Sequence, residues 1–558
     1  VTSTSTTPAA AFDAIVVGGG HNGLVAAYYL ARGGLRPLVL ERRDIVGGAC
    51  VTEEFAPGFR ASTGAYVLSM LREAIWADMR LVERGIVVDP AGPSLYLFPD
   101  GRRLLVHDDT EATAREIAAF SEADARAFPA FEAELAQLGQ VIMPMIDWTP
   151  PDPSSLRPRD LAGLLRFGAT GARHRASVVD ALQLFATSAR QYLDERFESE
   201  HVKAALGWHA INDSVLGPSS PGTAYVLLHD HASEDPGGGV RQWGFVRGGI
   251  GRVTEAMADA AREAGAVVRT GADVEEILVR DGRAVGVRLA GGEELLAPIV
   301  VSNADPKHTF LDLVGEDALP ASFVGALRGY RCIGTSVKIN LAVDALPQVA
   351  GMDPPPSSDV AGSYLGGIME FGGSLAELDR AQAEALGGHP GRDPHIELCI
   401  PTVHDPSLAA PGHHVVTIDI NSQPYALADD EPGWDAIKED VADRAIAALE
   451  EHLPGLTASI VHRQVLSPLD LERILGLTGG HALHGDMSFD QLFVLRPVRG
   501  WADYRTPVAG LYLCGAGTHP GGGVTGANGH NAAREILRDA RGGVGAGVVR
   551  RVRERVGR

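Results

Sequence analysis

Three glycines, Gly18, Gly20 and Gly23, stand in the spacing G-x-G-x-x-G, and eighteen residues after the last of them comes Glu41. Residues of these types can bind the pyrophosphate and ribose of a dinucleotide. Gly18 allows a tight turn, Gly20 lets a phosphate approach the backbone, Gly23 lets a helix close on a strand, and an acid at position 41 accepts from ribose hydroxyls. His21 and Asn22 fill the same turn and are counted with the cofactor-binding positions, His21 as a packing or capping residue and not as a catalyst. Further along, Gly47-Gly48 is followed by Cys50, and Lys338 interrupts the apolar run "TSVKINLAV". A lysine there is costly unless its ammonium finds a partner.

Elements of the right kind surround these residues. "FDAIVV" (12–17) reads as a short buried strand, "LVAAYYLARGG" as a helix closed by a glycine pair, and "RPLVLE" as the next strand, which ends in Glu41. The order strand, glycine turn, helix, strand is that of a Rossmann-like βαβ unit, with the helix N-terminus facing the phosphates. The same texture returns in "FVRGGIGRVTEAMADAAREAGAVVRTGADVEEILVRDGRAVGVRL", where Asp281-Gly282 marks a hairpin. It returns again in "GLYLCGAGTHPGGGVTGANGHNAA" (510–533), where a helix is expected from near Val524. Gly521-x-Gly523-x-x-Gly526 also fits the dinucleotide spacing, but no strand with an acidic end follows it, so no second nucleotide site is expected.

The expected domains are therefore interleaved. Residues 12–75, 240–320 and 490–540 form a discontinuous dinucleotide-binding domain of α/β class, and 76–239 with 321–489 form an α+β substrate domain. The first insertion is read mainly as helices broken by "WTPPDPSSLRP". Residues 1–11 are expected to be disordered and 541–558 to form a basic tail, which could solvate freely or touch anionic lipid or a partner subunit.

Composition narrows the function. With 49 basic and 71 acidic residues the chain carries −22, which disfavours nucleic acid as a partner. No apolar run reaches the ~18 residues of a membrane span, and no secretion signal is read, so a cytoplasmic location is expected. The four cysteines (Cys50, Cys332, Cys399, Cys514) show no paired spacing. Phe55 stands five places after Cys50, where a redox disulfide of the C-x-x-x-x-C type would have its second thiol, so Cys50 is read as buried packing. His209, His229, His231, His481 and His484 lack a matching ligand set, and no metal is assigned.

Glu41-x-Arg43-Asp44-x-Val46-Gly47-Gly48 resembles the flavin-binding fingerprint shared by flavin amine oxidases and phytoene desaturases, and "GAGTHPG" (515–521) resembles the carboxyl-terminal flavin motif of phytoene desaturases. The resemblance extends over the whole chain, to one branch of the phytoene desaturase family. It implies a glutathione-reductase-like FAD-binding domain of amine oxidase/phytoene desaturase type and noncovalent FAD. It also implies a ribose contact at Glu41, cofactor contacts at Arg43, Gly47, Gly48, Gly515, Gly523 and Val524, and a backbone contact to adenine at Val274. Many members have arginine where this chain has Ala49. Lys338 matches the lysine that reaches flavin N5 through a water in flavin amine oxidases, and is the candidate catalytic residue. Its alternatives are an outward-pointing side chain or a carboxylate pair. Gly523 replaces a tyrosine of the amine-holding aromatic cage.

The expected activity is FAD-dependent removal of hydrogen from C–C or C–N bonds of a mainly apolar small molecule, with oxygen or a quinone as electron acceptor. An amine oxidase, a non-redox isomerase, and a binding protein on the same fold, as in GDP-dissociation inhibitors, remain as alternatives.

Overall fold

The computed structural model describes residues 12–173, 179, 182–211, 214–231 and 243–542. The expectations for residues 1–11, for the tail beyond 542 and for the side chain of His231 lie outside the described residues.

A five-stranded, all-parallel sheet carries the amino-terminal motif. Its order is Leu511–Leu513, Ile299–Ser302, Ala14–Val17, Pro37–Leu40, Val267–Arg269. These strands are short continuous apolar runs because both faces of the sheet are covered, one by helices and the other chiefly by antiparallel strands. Helix His21–Arg32 packs between helices Gly251–Glu263 and Ala527–Gly542, burying Leu24, Leu30, Val253, Met257, Ala533 and Ile536 in one core with Val16 and Val39. From Ala14–Val17 the chain passes to one side of the sheet, and it later returns to the other side. Such a reversal opens a crevice at the carboxyl ends of the strands.

A three-stranded antiparallel meander, Val274–Arg280, Arg283–Leu289 and Glu294–Leu296, lies beside that sheet. Its first turn is Asp281-Gly282, with φ of 50° and 71°, the left-handed pair that a two-residue type I′ hairpin demands.

The second large sheet has seven strands, in the order Ile460–Leu466, Val337–Val343, His414–Ile420, Ile396–Cys399, Ile368–Phe371, Ser94–Leu97, Arg103–Val106. All pairs are antiparallel except Ile368–Phe371 with Ser94–Leu97. The last two strands come from the first insertion, which the sequence describes chiefly by its helices. Period-two alternation sorts the faces. Val337, Ile339, Leu341, Leu398, Ile418 and Met369 pack with Trp434, Val441, Ile446 and Leu449 of helix Trp434–His452. The alternate residues, Lys338, Asp419, Glu397, Glu370 and Tyr96, stand opposite one another on the other face.

Helix Glu122–Ile146 belongs to the insertion and is capped at its start by Ser121, whose Oγ accepts from the N–H groups of Ala123 and Asp124. At its other end the last two carbonyls, beyond the helical ladder, also accept from the carboxyl-terminal motif. His519 Nε2 donates to Met145 O at 2.9 Å, and Asn531 Nδ2 donates to Ile146 O at 2.9 Å. The insertion is thereby fastened to the segment whose glycines form one wall of the crevice.

Candidate functional site

The crevice is a cavity of about 600 Å³ between the parallel sheet and the polar face of the seven-stranded sheet. Gly18, Gly20, His21, Asn22, Glu41, Arg43, Gly47, Gly48, Val274, Lys338, Gly523 and Val524 all line it. Residues from five separate parts of the chain thus converge on one space.

Backbone approach explains the glycines. Gly20 pairs with Gly47 in an isolated parallel bridge, and a Cβ on Gly20 would stand 2.8 Å from Asn303 Nδ2. A Cβ on Gly23 would fall 2.3 Å from Gly18 O, so this glycine presses the helix onto the strand behind the cavity wall and does not line it. Gly515 is likewise set back from the wall. Its hypothetical Cβ would meet Asn303 O at 2.4 Å, and it is Ala516 that faces the cavity. Gly23 thus stands where a glycine that closes helix on strand must stand, and Gly515 packs behind the wall and does not line it.

Glu41 is almost fully buried, with Oε2 accepting from Gly19 N–H at 2.8 Å and Oε1 from Arg43 N–H at 2.9 Å. The carboxylate is fixed while still facing the cavity. Arg43 pairs through Nη2 with Glu53, while its Nη1 is buried without a hydrogen-bond partner. His484 Nδ1 is in the same condition. Unsatisfied buried polar atoms are rare, and here four of them, His21 Nε2, Arg43 Nη1, Asn421 Oδ1 and His484 Nδ1, belong to residues that line a glycine-cradled cavity. A polar dinucleotide fits this lining.

His21 sits at the first position of its helix, with Nδ1 3.6 Å from Cys50 Sγ. Burial, with His484 adding to it, lowers its pKa to about 4, so it is neutral. Cys50 is 1% exposed and belongs to the core, and burial pushes its thiol up to about 12. All four cysteines are buried and free.

The carboxyl-terminal helix begins at Ala527, not near Val524. Gly523 and Gly526 hold φ of 94° and 68°, which keeps the chain out of helical conformation, and Thr525 Oγ1 accepts from Ala527 N–H as the turn ends. A Cβ on Gly523 would stand 2.9 Å from Met70 Sδ.

Lys338 points into the cavity. Its Nζ donates to Gly64 O at 2.9 Å and lies 3.5 Å from the centroid of the Tyr66 ring, a cation–π contact. It is 2% exposed, and burial lowers its pKa to about 8, partly opposed by Asp419. Among the described residues no carboxylate lies within 4 Å of it, so neither an outward-pointing side chain nor a direct ion pair describes it.

The sequence reading missed Tyr66, Asp419, Asn421 and Glu397, which share this wall. Tyr66 OH donates to Glu397 Oε1. Burial, then Asp419, raises Glu397 well above the usual carboxylate range. The signal was a single acid in short apolar strands, "TIDI" and "IELC". Of the other histidines, His229 lines the cavity, His209 stacks on Trp208, and His481 Nε2 lies 3.3 Å from Asp486 Oδ1. Among the described residues no three His, Cys, Asp or Glu side chains are grouped to hold a metal ion.

Residues 23–358 match the family described as flavin containing amine oxidoreductase. The mouse (Mus musculus) protein called pyridine nucleotide-disulfide oxidoreductase domain-containing protein 2 is 40% identical over 544 residues, 95% of this chain and 94% of that one. A limonene dehydrogenase component from Castellaniella defragrans is 29% identical, over 94% of each chain. Among solved structures, a redesigned putrescine oxidase triple mutant superposes with a TM-score of 0.59 at 16% identity, over 95% of this chain and 98% of that chain, which is a likeness of fold.

Proposed function

The chain belongs to the family of flavin-containing amine oxidoreductases, and from that premise we propose that it is an FAD-dependent oxidoreductase removing hydrogen from C–C or C–N bonds of a mainly apolar small molecule, with oxygen or a quinone as electron acceptor. The observation that carries this reading is the convergence on one cavity of the fingerprint glycines, Glu41 and Arg43, the Gly523-Val524 turn, and the buried Lys338. A relative named for limonene, a hydrocarbon, favours C–C dehydrogenation over amine oxidation, as does a glycine at 523 in place of a cage tyrosine.

FAD, when bound, supplies the acceptor for a hydride equivalent. The protein's residues do the rest. The Gly18–Gly23 turn and the start of helix His21–Arg32 hold the pyrophosphate through backbone N–H groups. Glu41, already oriented by two N–H groups, receives ribose hydroxyls, and Arg43 offers its remaining guanidinium donor. The apolar lining of Val226, Met487 and Leu483 excludes water from the substrate. Lys338, with a pKa near 8, can hold or release a proton close to neutral pH. Glu397, whose pKa burial holds well above the usual carboxylate range, is a second group that can exchange one. Neither needs the mobility of a surface residue, since both are held by hydrogen bonds.

The mouse relative's name mentions a disulfide. With Cys50 buried and free, no dithiol chemistry is assigned to this chain.

The test is the visible spectrum of purified protein. The protein is expected to be yellow, and acid precipitation is expected to leave the colour in the supernatant. Colour that pellets with the protein would mean covalent attachment. Colourless protein that FAD does not restore would replace the enzyme reading with that of a binding protein on the same fold.

A further inference from the structure

Arg496 is among the largest side chains that are fully buried, and neither cofactor binding nor proton transfer gives it a part. Its guanidinium makes six hydrogen bonds, all to main-chain carbonyls. Nε and Nη2 donate to Ala516 O (3.2 and 2.9 Å), Nη1 to Asp486 O (2.9 Å) and Gln491 O (3.2 Å), and Nη2 to Leu483 O (2.9 Å) and Gly485 O (3.2 Å). Two of these carbonyls belong to Ala516 and Leu483, which line the cavity. The guanidinium therefore lies one peptide unit behind the wall, where the carboxyl-terminal motif meets the loop 482–491.

Its charge has no counter-charge in contact. Among the described residues no carboxylate comes within 4 Å of Arg496. Asp486, whose main-chain carbonyl Arg496 holds, lends its carboxylate to Arg331 Nε at 2.8 Å and to His481, and Asp490 also pairs with Arg331. Burying a guanidinium without a carboxylate carries a heavy desolvation penalty, which the carbonyls only partly offset. A latch between two loops needs donors but not a full charge. A full positive charge in a dry wall acts on what faces it, since Coulomb interactions are weakly screened there.

The geometry points to Arg496 as a positioning residue whose buried positive charge, set behind Ala516 and Leu483, favours negative charge in the cavity and so raises the reduction potential of the bound flavin. The inference rests on the flavin reading of the site. Gaining two electrons leaves that group more negative, and a fixed cation nearby lowers the free energy of the reduced form relative to the oxidised one. No bond to Arg496 is made or broken.

The experiment compares the holoenzyme with Arg496→Gln and Arg496→Lys, each poised by dye equilibration, reading the ratio of reduced to oxidised flavin. Arg496→Gln keeps amide donors and loses the charge. It is expected to lower the ratio at fixed poise about tenfold or more, equivalent to ~30 mV for a two-electron couple. Arg496→Lys loses the fork and keeps the charge, and is expected to stay within about threefold of the parent. If both variants shift the ratio equally, or neither does, Arg496 is a latch and the inference falls. Arg496→Lys also gives a measurement that does not depend on the glutamine variant folding, because its charge can be titrated. Its potential should fall more steeply than the parent's as pH rises toward 10, and parallel slopes overturn the inference. A parent protein that binds no FAD would refute the flavin reading itself, a distinguishable outcome.

Discussion

Lys338→Met is the substitution whose effect on stability follows most directly from the structure. The side chain is 2% exposed, and burial moves its pKa from the model-compound value of 10.5 to about 8. At 1.36 kcal/mol per pH unit this is a penalty of about 3 kcal/mol on the charged form. Below pH ~8 both folded and unfolded chains hold the proton, and the full penalty bears on the native state. Between about 8 and 10.5 the unfolded chain retains a proton that the folded one has lost, so stability rises with pH and the penalty fades. Methionine keeps the length and bears no charge. It also deserts Gly64 O and the Tyr66 ring, at a cost of ~1–2 kcal/mol that does not vary with pH. The variant should thus be more stable than the parent at pH 7 by ~1–2 kcal/mol and lose ~2 kcal/mol of that advantage by pH 9.5. With an unfolding entropy of ~2.1 cal/mol/K per residue, 2 kcal/mol corresponds to about 2 °C for a chain of this length unfolding in one transition. Differential scanning calorimetry of both proteins, saturated with FAD, from pH 7.0 to 9.5 reads this as a change in the difference between their Tm values. Subtracting one protein from the other removes the tyrosines and thiols that titrate in the same range. A difference independent of pH would show that the ammonium is not desolvated as described.

Two further substitutions test the site's framework. Gly23→Ala would put a methyl 2.3 Å from Gly18 O, a backbone atom, and should weaken FAD retention at least tenfold. Gly139→Ala, in helix Glu122–Ile146 with no atom beyond the neighbouring helix backbone within 4 Å of the added methyl, should leave retention unchanged and stabilise by ~0.5–1 kcal/mol. FAD content after gel filtration reads both, and retention by Gly23→Ala would show that the turn is not the cofactor's cradle. Cys50→Ser should retain FAD and reduce at a rate near that of the parent, because a buried thiol pushed up to about 12 holds no appreciable thiolate at neutral pH. A large loss in rate would restore thiol chemistry.

What could be read in the chain depended on whether a constraint was local. The first turn was legible because Gly18, Gly20 and Gly23 answer to backbone crowding within one strand, turn and helix. Asp281-Gly282 was legible because a two-residue hairpin dictates its own φ values. The onset of the last helix was misplaced because Gly523 and Gly526 look like helix-start residues while their positive φ delays the first turn to Ala527. Asp419 and Glu397 on their strands and Tyr66 in a loop were missed because their partners are distant in the chain, so nothing near any one of them shows that the others stand beside it. Arg496 was missed for a similar reason. A lone arginine before a proline looks like a surface loop residue until five carbonyls from two loops are seen to close on it.

The row that runs from Lys338 through Asp419, Glu397 and Glu370 to Tyr96 also says how five of the seven strands, from distant stretches of chain, find their alignment. On the helix-covered face the strands present interchangeable valines, isoleucines and leucines, which would tolerate many offsets. A slip of any one strand by a single residue would exchange its faces and drive an ionisable side chain into the layer against Trp434 and Leu449. The cost of such a slip is that of burying a charged or polar group among hydrocarbons. The same polar groups that furnish the cavity wall therefore act as an alignment key during assembly, and replacing the row with apolar residues would remove the distinction between the two faces on which correct pairing depends.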